Sequence, residues 1–212
     1  MENIYCISGL GADERVFHNL KIPGFSLRYV EWLIPEKKET IQAYSQRMGL
    51  QIKEENPFLM GVSFGGMMAI EIAKQKRSRQ IIIISSIKSR FELPEWMRIS
   101  GKFNLSALVP SRSPGWISPF TNYYLGAKTA AEKELAANFR QMVSPVYLRW
   151  AIDKVINWQN EIQPAPIFHL HGTDDRTFPI KNIKPDYVVQ KGGHFMVLNR
   201  AAEISSAIKN AL

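Results

Sequence analysis

The sequence predicts an α/β protein with a doubly wound, mostly parallel sheet and an inserted helical segment. The clearest strand runs from Gln80 to Ser85 and contains four consecutive isoleucines. It is apolar without alternation, as a parallel strand covered on both faces must be. Other short apolar runs alternate with helical patterns along most of the chain, and this alternation indicates a parallel sheet flanked by helices.

The first two strand–helix units follow directly from the start of the chain. An apolar run from Ile4 to Ser8 predicts the first strand, and a glycine-containing loop follows it. Asp13 is placed to cap a helix that continues to about Leu20. The second unit is predicted as a strand from Leu27 to Trp32 and an amphipathic helix from Glu39 to about Glu54.

The third unit contains the most informative motif. A strand from Phe58 to Val62 leads into Ser63, which lies between Gly61 and Gly65, and a helix is predicted from Phe64 to about Lys76. A serine on a tight strand-to-helix turn has a strained backbone, and only glycine fits the two crowded positions beside it. The turn exposes the hydroxyl and directs the first amides of the helix beside it, as acyl transfer requires. The alternative is a structural turn with an incidental serine.

The regular alternation stops between residues 88 and 163. This stretch is rich in helix formers, most clearly from Thr129 to Met142, and it contains breaks at proline and serine. We predict a helical cap over 88–163, inserted into a core formed by 1–87 and 164–212. The core then resumes with strands at Pro166 to Leu170 and Asp186 to Val189, and with a closing helix from Ala201 to Leu212.

Composition limits the classes of function. The net charge is +8, but the basic residues are scattered among acids, so a solvated basic surface is favoured over a nucleic-acid partner. The single cysteine, Cys6, excludes an intrachain disulfide and a cysteine-based metal site. The start of the chain lacks the pattern of a signal peptide, and no apolar run approaches the about 18 residues of a membrane span. We expect a cytoplasmic protein without a transmembrane segment, and its oligomeric state is not predicted.

Two late loops supply the groups that an activated serine needs, a base and a buried acid that orients the base. Asp174 and Asp175 follow one predicted strand, and His194 follows the next. These loops and Ser63 all lie at the carboxyl edge of a parallel sheet, where ligands bind. Both acids are candidates at this point, and turn capping is the alternative role for Asp174.

The chain resembles the α/β-hydrolase superfamily, and in particular its small lid-bearing serine hydrolases. The resemblance covers nearly the whole chain and depends on three segments: 61–65 (GVSFG), 171–175 (HGTDD) and 192–194 (GGH). It implies the α/β-hydrolase fold, with Ser63 as nucleophile, Asp175 as acid and His194 as base, in the chain order of that family. His171, in the second segment, is expected instead to end a strand with its ring packed beneath the site.

The resemblance also implies an oxyanion hole made by the backbone N–H groups of Leu10 and Phe64. Ser8 stands where the family often has histidine, which leaves the shape of that loop open. The cap aromatics suggest an apolar roof over the site, although a small cap must also use aromatics to pack its own core. They are Trp96, Phe103, Trp116, Phe120, Tyr123, Tyr124, Phe139, Tyr147 and Trp150.

The expected function is therefore serine hydrolase activity on a carboxylic ester or thioester, through an acyl-enzyme on Ser63. The expected substrate is a small molecule with an apolar acyl or alkyl group, and neither a cofactor nor a metal is required. Two alternatives remain open. The same fold could hydrolyse C–C bonds or transfer acyl groups, or the chain could be a catalytically silent small-molecule-binding protein.

Overall fold

Six parallel strands form the sheet of the computed structural model, which describes residues 1–103 and 118–212. The strand order is β2-β1-β3-β4-β5-β6, and each neighbouring pair is parallel. The predicted α/β class with a doubly wound sheet is confirmed. The strands are β1 (Glu2–Ile7), β2 (Phe25–Tyr29), β3 (Phe58–Val62), β4 (Gln80–Ile84), β5 (Ile167–Gly172) and β6 (Tyr187–Val189).

Helices cover both faces of this sheet. The β4 isoleucines divide between two buried apolar clusters, with Ile81 and Ile83 in one and Ile82 and Ile84 in the other. This division explains the continuous apolar run, because successive side chains of a strand point to opposite faces. The described α-helices are α1 (Ile41–Gly49), α2 (Phe64–Ala73), α3 (Glu95–Lys102), α4 (Ser118–Leu125), α5 (Ala130–Met142), α6 (Pro145–Ile156), α7 (Met196–Asn199) and α8 (Ala201–Ala211).

The predicted helix from Asp13 to Leu20 is wrong. Only a short 3₁₀ helix, Glu14–Phe17, forms there, although Asp13 does cap it by accepting a hydrogen bond from the Arg15 amide at 3.0 Å. The chain must soon turn into β2, and Pro23 cannot continue a helix. The second predicted helix is also shorter than expected. Helix α1 ends at Gly49, because glycine has a low helix propensity.

Helices α3 to α6 follow β4 and precede β5 in the sequence, within the stretch where an inserted cap is predicted. Helix α5 begins at a capping box, in which Thr129 and Glu132 bond each other's backbone amides. The boundaries at 88 and 163 remain a prediction, and Trp116 lies outside the described residues. Of the helices that the structure describes, none has the length and apolar character to cross a membrane.

Candidate active site

Ser63 lies on the sharp turn between β3 and α2. Its backbone is in the left-handed half of conformational space, with φ 54° and ψ −122°, which is a strained conformation for serine. The turn is held by its neighbours: the Ser63 amide donates to the Ile84 carbonyl at 3.0 Å, and the Ser86 hydroxyl donates to the Ser63 carbonyl at 2.6 Å. These bonds fix the serine at the carboxyl edge of the sheet.

The two glycines of the turn have separate packing partners. A Cβ on Gly61 would overlap the carbonyl group of Gly65. A Cβ on Gly65 would overlap the carbonyl oxygens of Ile7 and Ser8. The turn is therefore packed against the end of β1 as well as against itself, which brings the loop after β1 beside Ser63.

Asp175 follows β5 and is 4% exposed. Its Oδ1 accepts hydrogen bonds from the Thr177 and Phe178 amides, both at 2.9 Å. Its Oδ2 lies 2.8 Å from Nδ1 of His194. Asp174 is exposed, and its Oδ1 accepts a hydrogen bond from the Thr173 hydroxyl at 3.1 Å. Of the two acids in this loop, Asp175 is the one that contacts a histidine.

His194 connects the acid to the serine. Its Nδ1 donates to Asp175, and its Nε2 lies 2.9 Å from the Ser63 hydroxyl. With the Nδ1 proton directed at the carboxylate, Nε2 is left as an acceptor for the serine O–H. The three side chains predicted from the sequence thus form one continuous hydrogen-bonded chain.

Two further histidines, His169 and His171, lie in β5 beneath the hydrogen-bonded side chains of Asp175, His194 and Ser63. The His171 ring is fully buried, with Nε2 2.8 Å from the Phe178 carbonyl and 3.6 Å from Oδ2 of Asp175. Burial lowers the pKa of His171, and it lowers the pKa of His169 to about 2. Both rings are therefore neutral near pH 7. Sequence reasoning placed His171 beneath the site but missed its contact with the carbonyl of the acid loop.

The loop after β1 lies directly beside Ser63. A Cβ built on Gly9 would lie 3.5 Å from the Ser63 Cβ. Phe64 is the first residue of α2, so its amide is among those that a helix leaves without an intrahelical acceptor. Leu10, in this loop, and Phe64 line the same cavity as Ser63. Phe64 also follows Ser63 directly in the sequence, and the assignment of the Leu10 and Phe64 amides to an oxyanion hole remains a prediction.

Trp32 supports this loop and was missed by sequence reasoning. Its indole Nε1 donates to the Ser8 hydroxyl at 2.9 Å, and that hydroxyl donates to the Ala12 carbonyl at 2.7 Å. The same indole ring is stacked on Phe64, with ring centroids 5.3 Å apart and planes within 2°. One side chain therefore contacts both segments whose amides are candidates for the oxyanion hole.

A cavity of about 500 Å³ opens above Ser63 and His194. Four of the predicted cap aromatics, Trp96, Phe120, Tyr124 and Phe139, line it. Tyr147 and Trp150 instead pack in the aromatic cluster around Trp32 and Phe64. The described cap aromatics therefore have different environments, since Phe103 and Tyr123 are exposed and belong neither to the cavity wall nor to the core. Within the described ranges, no group of three or more His, Cys, Asp or Glu side chains could hold a metal ion.

The C-terminal end of α4 is attached to both loops of the site. The Thr177 hydroxyl donates to the Tyr124 carbonyl at 3.1 Å, and the Phe195 amide donates to the Leu125 carbonyl at 3.0 Å. The acid loop and the base loop are thus bound to the same helix end. Helix α4, which contributes to the cavity wall, is therefore hydrogen-bonded to the two loops that hold Asp175 and His194.

Comparison with known proteins finds similarity at the level of structure only. No family model and no curated protein sequence matches the chain. A thermophilic esterase from Thermogutta terrifontis has a TM-score of 0.72 and 15% identity, over 100% of this chain and 89% of that one. A bromoperoxidase from Bacillus anthracis has a TM-score of 0.65 and 15% identity, over 98% and 90%. An N-acyl homoserine lactonase complexed with N-butanoyl homoserine has a TM-score of 0.71 and 14% identity, over 100% and 88%. At these identities the similarity establishes a common fold.

Proposed function

We propose that this chain, which has the α/β-hydrolase fold, is a serine hydrolase that cleaves a carboxylic ester or thioester through an acyl-enzyme on Ser63. The hydrogen-bonded chain from Asp175 through His194 to Ser63 carries the proposal. A serine nucleophile is activated by a base that a buried acid orients, and ligand binding alone requires neither group.

The reaction follows from these groups. Nε2 of His194 takes the proton of the Ser63 hydroxyl as Oγ attacks the carbonyl carbon, and the Leu10 and Phe64 amides stabilise the oxyanion. The bond to the leaving alcohol or thiol then breaks, and the imidazolium returns its proton to that group. Water attacks the acyl-enzyme by the same route, its proton passing to Nε2, and the acid product leaves as the serine recovers its proton.

The cavity supports an apolar acyl or alkyl group in the substrate. Its wall beyond the serine includes Leu125, Leu148, Ile152 and Val155. A concave apolar site with a few convergent polar groups is typical of small-molecule binding. Esterases and lactonases both cleave ester bonds and occur among the similar structures, so linear and cyclic esters are both candidates. Action in the cytoplasm stays a prediction from the sequence.

The direct test is covalent labelling with a fluorophosphonate, measured by intact mass. We expect one adduct on the wild-type chain and none on Ser63→Ala, because the reagent reacts covalently with an activated serine. The test therefore does not depend on knowing the substrate. A folded Ser63→Ala protein, checked by circular dichroism, is the control for the loss of labelling. Equal labelling of both proteins, or no labelling of either, would contradict the proposal.

Trp32→Phe is expected to lower kcat about 10-fold with little change in KM. The phenyl ring keeps the stacking on Phe64 but removes the N–H that bonds Ser8, so the loop carrying the Leu10 amide loses one support. Steady-state kinetics on a p-nitrophenyl ester would measure both constants.

Trp150→Phe is the matched control. Trp150 also packs against Phe64, with centroids 6.2 Å apart, but its indole donates to the Glu39 carbonyl rather than to the loop. We expect its kcat to stay near that of the wild type. Equal losses in the two variants would show that aromatic packing, and not the bond to Ser8, explains the effect.

A further inference from the structure

Arg140 is the one charged side chain among the described residues that line the cavity beside Ser63, apart from the titratable His194. It lies on the face of α5 that carries Ala136 and Phe139, which line the same cavity and are buried. Residues three and four positions apart lie on one side of a helix, so this placement follows from the helical repeat. Lys133, on the same helix, is exposed.

The guanidinium of Arg140 has only neutral partners in the described structure. Its Nη1 donates to Oγ1 of Thr121 at 3.0 Å and to Oδ1 of Asn122 at 3.1 Å. Among described residues, no carboxylate lies within ion-pair distance of it, and residues 104–117 contain neither Asp nor Glu. Partial burial lowers the pKa of Arg140 but leaves the guanidinium charged.

A half-buried cation without an anion is unfavourable, because the desolvation cost is not offset by an ion pair. Other arginines of this chain do form such pairs, for example Arg15 with Asp13 and Arg47 with Glu36. The charge of Arg140 is therefore available to a bound ligand. Its Nε and Nη2 groups donate to no described residue, which leaves a planar pair of donors.

We propose that Arg140 binds a carboxylate of the substrate, so that the substrate is an ester or thioester whose apolar chain ends in a carboxylate. The inference rests on the proposed hydrolase function and names the substrate class of that site. The planar fork of guanidinium donors matches a carboxylate in geometry. A carboxylate monoanion also matches the one positive charge that the described residues place in the cavity wall, whereas a phosphate dianion would leave excess negative charge beside it.

Paired substrates test this proposal. The mono-p-nitrophenyl ester of suberic acid and p-nitrophenyl octanoate have equal chain length and differ at the far end, and shorter and longer homologous pairs extend the series. We expect Arg140→Met to lower kcat/KM for the carboxylate-bearing esters about 10- to 100-fold, since a charged hydrogen bond is lost. We expect a much smaller change on the neutral esters, which have no carboxylate for Arg140 to bind. Lys133→Met, at an exposed position of α5 that does not line the cavity, should change neither class.

Two more variants separate recognition from packing. Arg140→Lys retains the charge and should restore part of the preference for the carboxylate. Thr121→Val removes one of the same hydrogen bonds but leaves the guanidinium, and it should retain the preference. If the wild type does not distinguish the paired esters, or if Arg140→Met affects both classes equally, Arg140 has a packing role and the inference is wrong. Hydrolysis of the neutral esters would still support the proposed function in that case.

A binding measurement tests the carboxylate site even if the protein is not a hydrolase. Monomethyl suberate, a monoanion, should raise the melting temperature of the Ser63→Ala protein more than methyl octanoate, which is neutral, and the added Arg140→Met change should remove this difference. Because no turnover is involved, the result is independent of the nucleophile. Binding without labelling of the wild-type serine would sustain the carboxylate site and reject the hydrolase, and absence of the difference would reject the site.

Discussion

Asp175→Asn is expected to lower kcat for ester hydrolysis about 10⁴-fold and to leave KM near its wild-type value. The carboxylate directs the Nδ1 proton of His194 toward itself and so leaves Nε2 free to accept from Ser63. An amide at position 175 can donate to Nδ1, which puts the proton on Nε2 and removes the base. The Thr177 and Phe178 amides can still bond the remaining carbonyl oxygen, so the loop should keep its shape.

Asp174→Asn is the matched control for this loss. The two acids are adjacent, but Asp174 is exposed and its side chain accepts from the neighbouring Thr173 hydroxyl, while its backbone amide bonds the Gly192 carbonyl and is unchanged by the substitution. We expect its kcat to stay within about twofold of the wild type, as is usual for a surface substitution. Steady-state kinetics and the rate of fluorophosphonate labelling measure the two variants side by side. Similar losses in both, or near-normal activity of Asp175→Asn, would show that the assignment of the acid is wrong.

The fold could be predicted because its strongest signals are local. The β4 isoleucines are apolar on both faces, and the structure divides them between two buried clusters. The bounds of β3 are as predicted, since Ser63 and the glycines around it mark its end. The helix expected after Asp13 was wrong because its cap is a local feature, whereas the need to return to β2 by Phe25 is set by the sheet.

The candidate site could be predicted only in part. Ser63, Asp175 and His194 each follow a strand, so the edge where they meet could be inferred from the topology of a parallel sheet. The support around them depends on contacts between distant segments. Trp32 and Ser8 are 24 positions apart, and no local pattern links an indole to that hydroxyl. The lack of a carboxylate near Arg140 among the described residues is also visible only after the chain has folded.

Gly65→Ala is expected to lower the free energy of unfolding by about 3 kcal/mol or more, because overpacking of a close backbone contact forces a shift of the main chain. The added Cβ would overlap the carbonyl oxygens of Ile7 and Ser8, and neither is the end of a flexible side chain that could move aside. For a chain of this size the loss corresponds to a fall of about 10 °C in melting temperature. Urea denaturation would measure the free energy directly.

Gly49→Ala provides the control, since a Cβ there would lie 3.7 Å from Cγ2 of Ile72, an ordinary contact, within a helix that favours alanine. It should be as stable as the wild type or slightly more stable. Gly65→Ala should also reduce activity beyond its effect on folding, because the displaced carbonyls belong to the segment that leads to Gly9 and Leu10 beside Ser63. A fully stable and active Gly65→Ala protein would show that the turn at Ser63 does not approach the end of β1 this closely. The claim that this contact supports the loop of Gly9 and Leu10 would then be wrong.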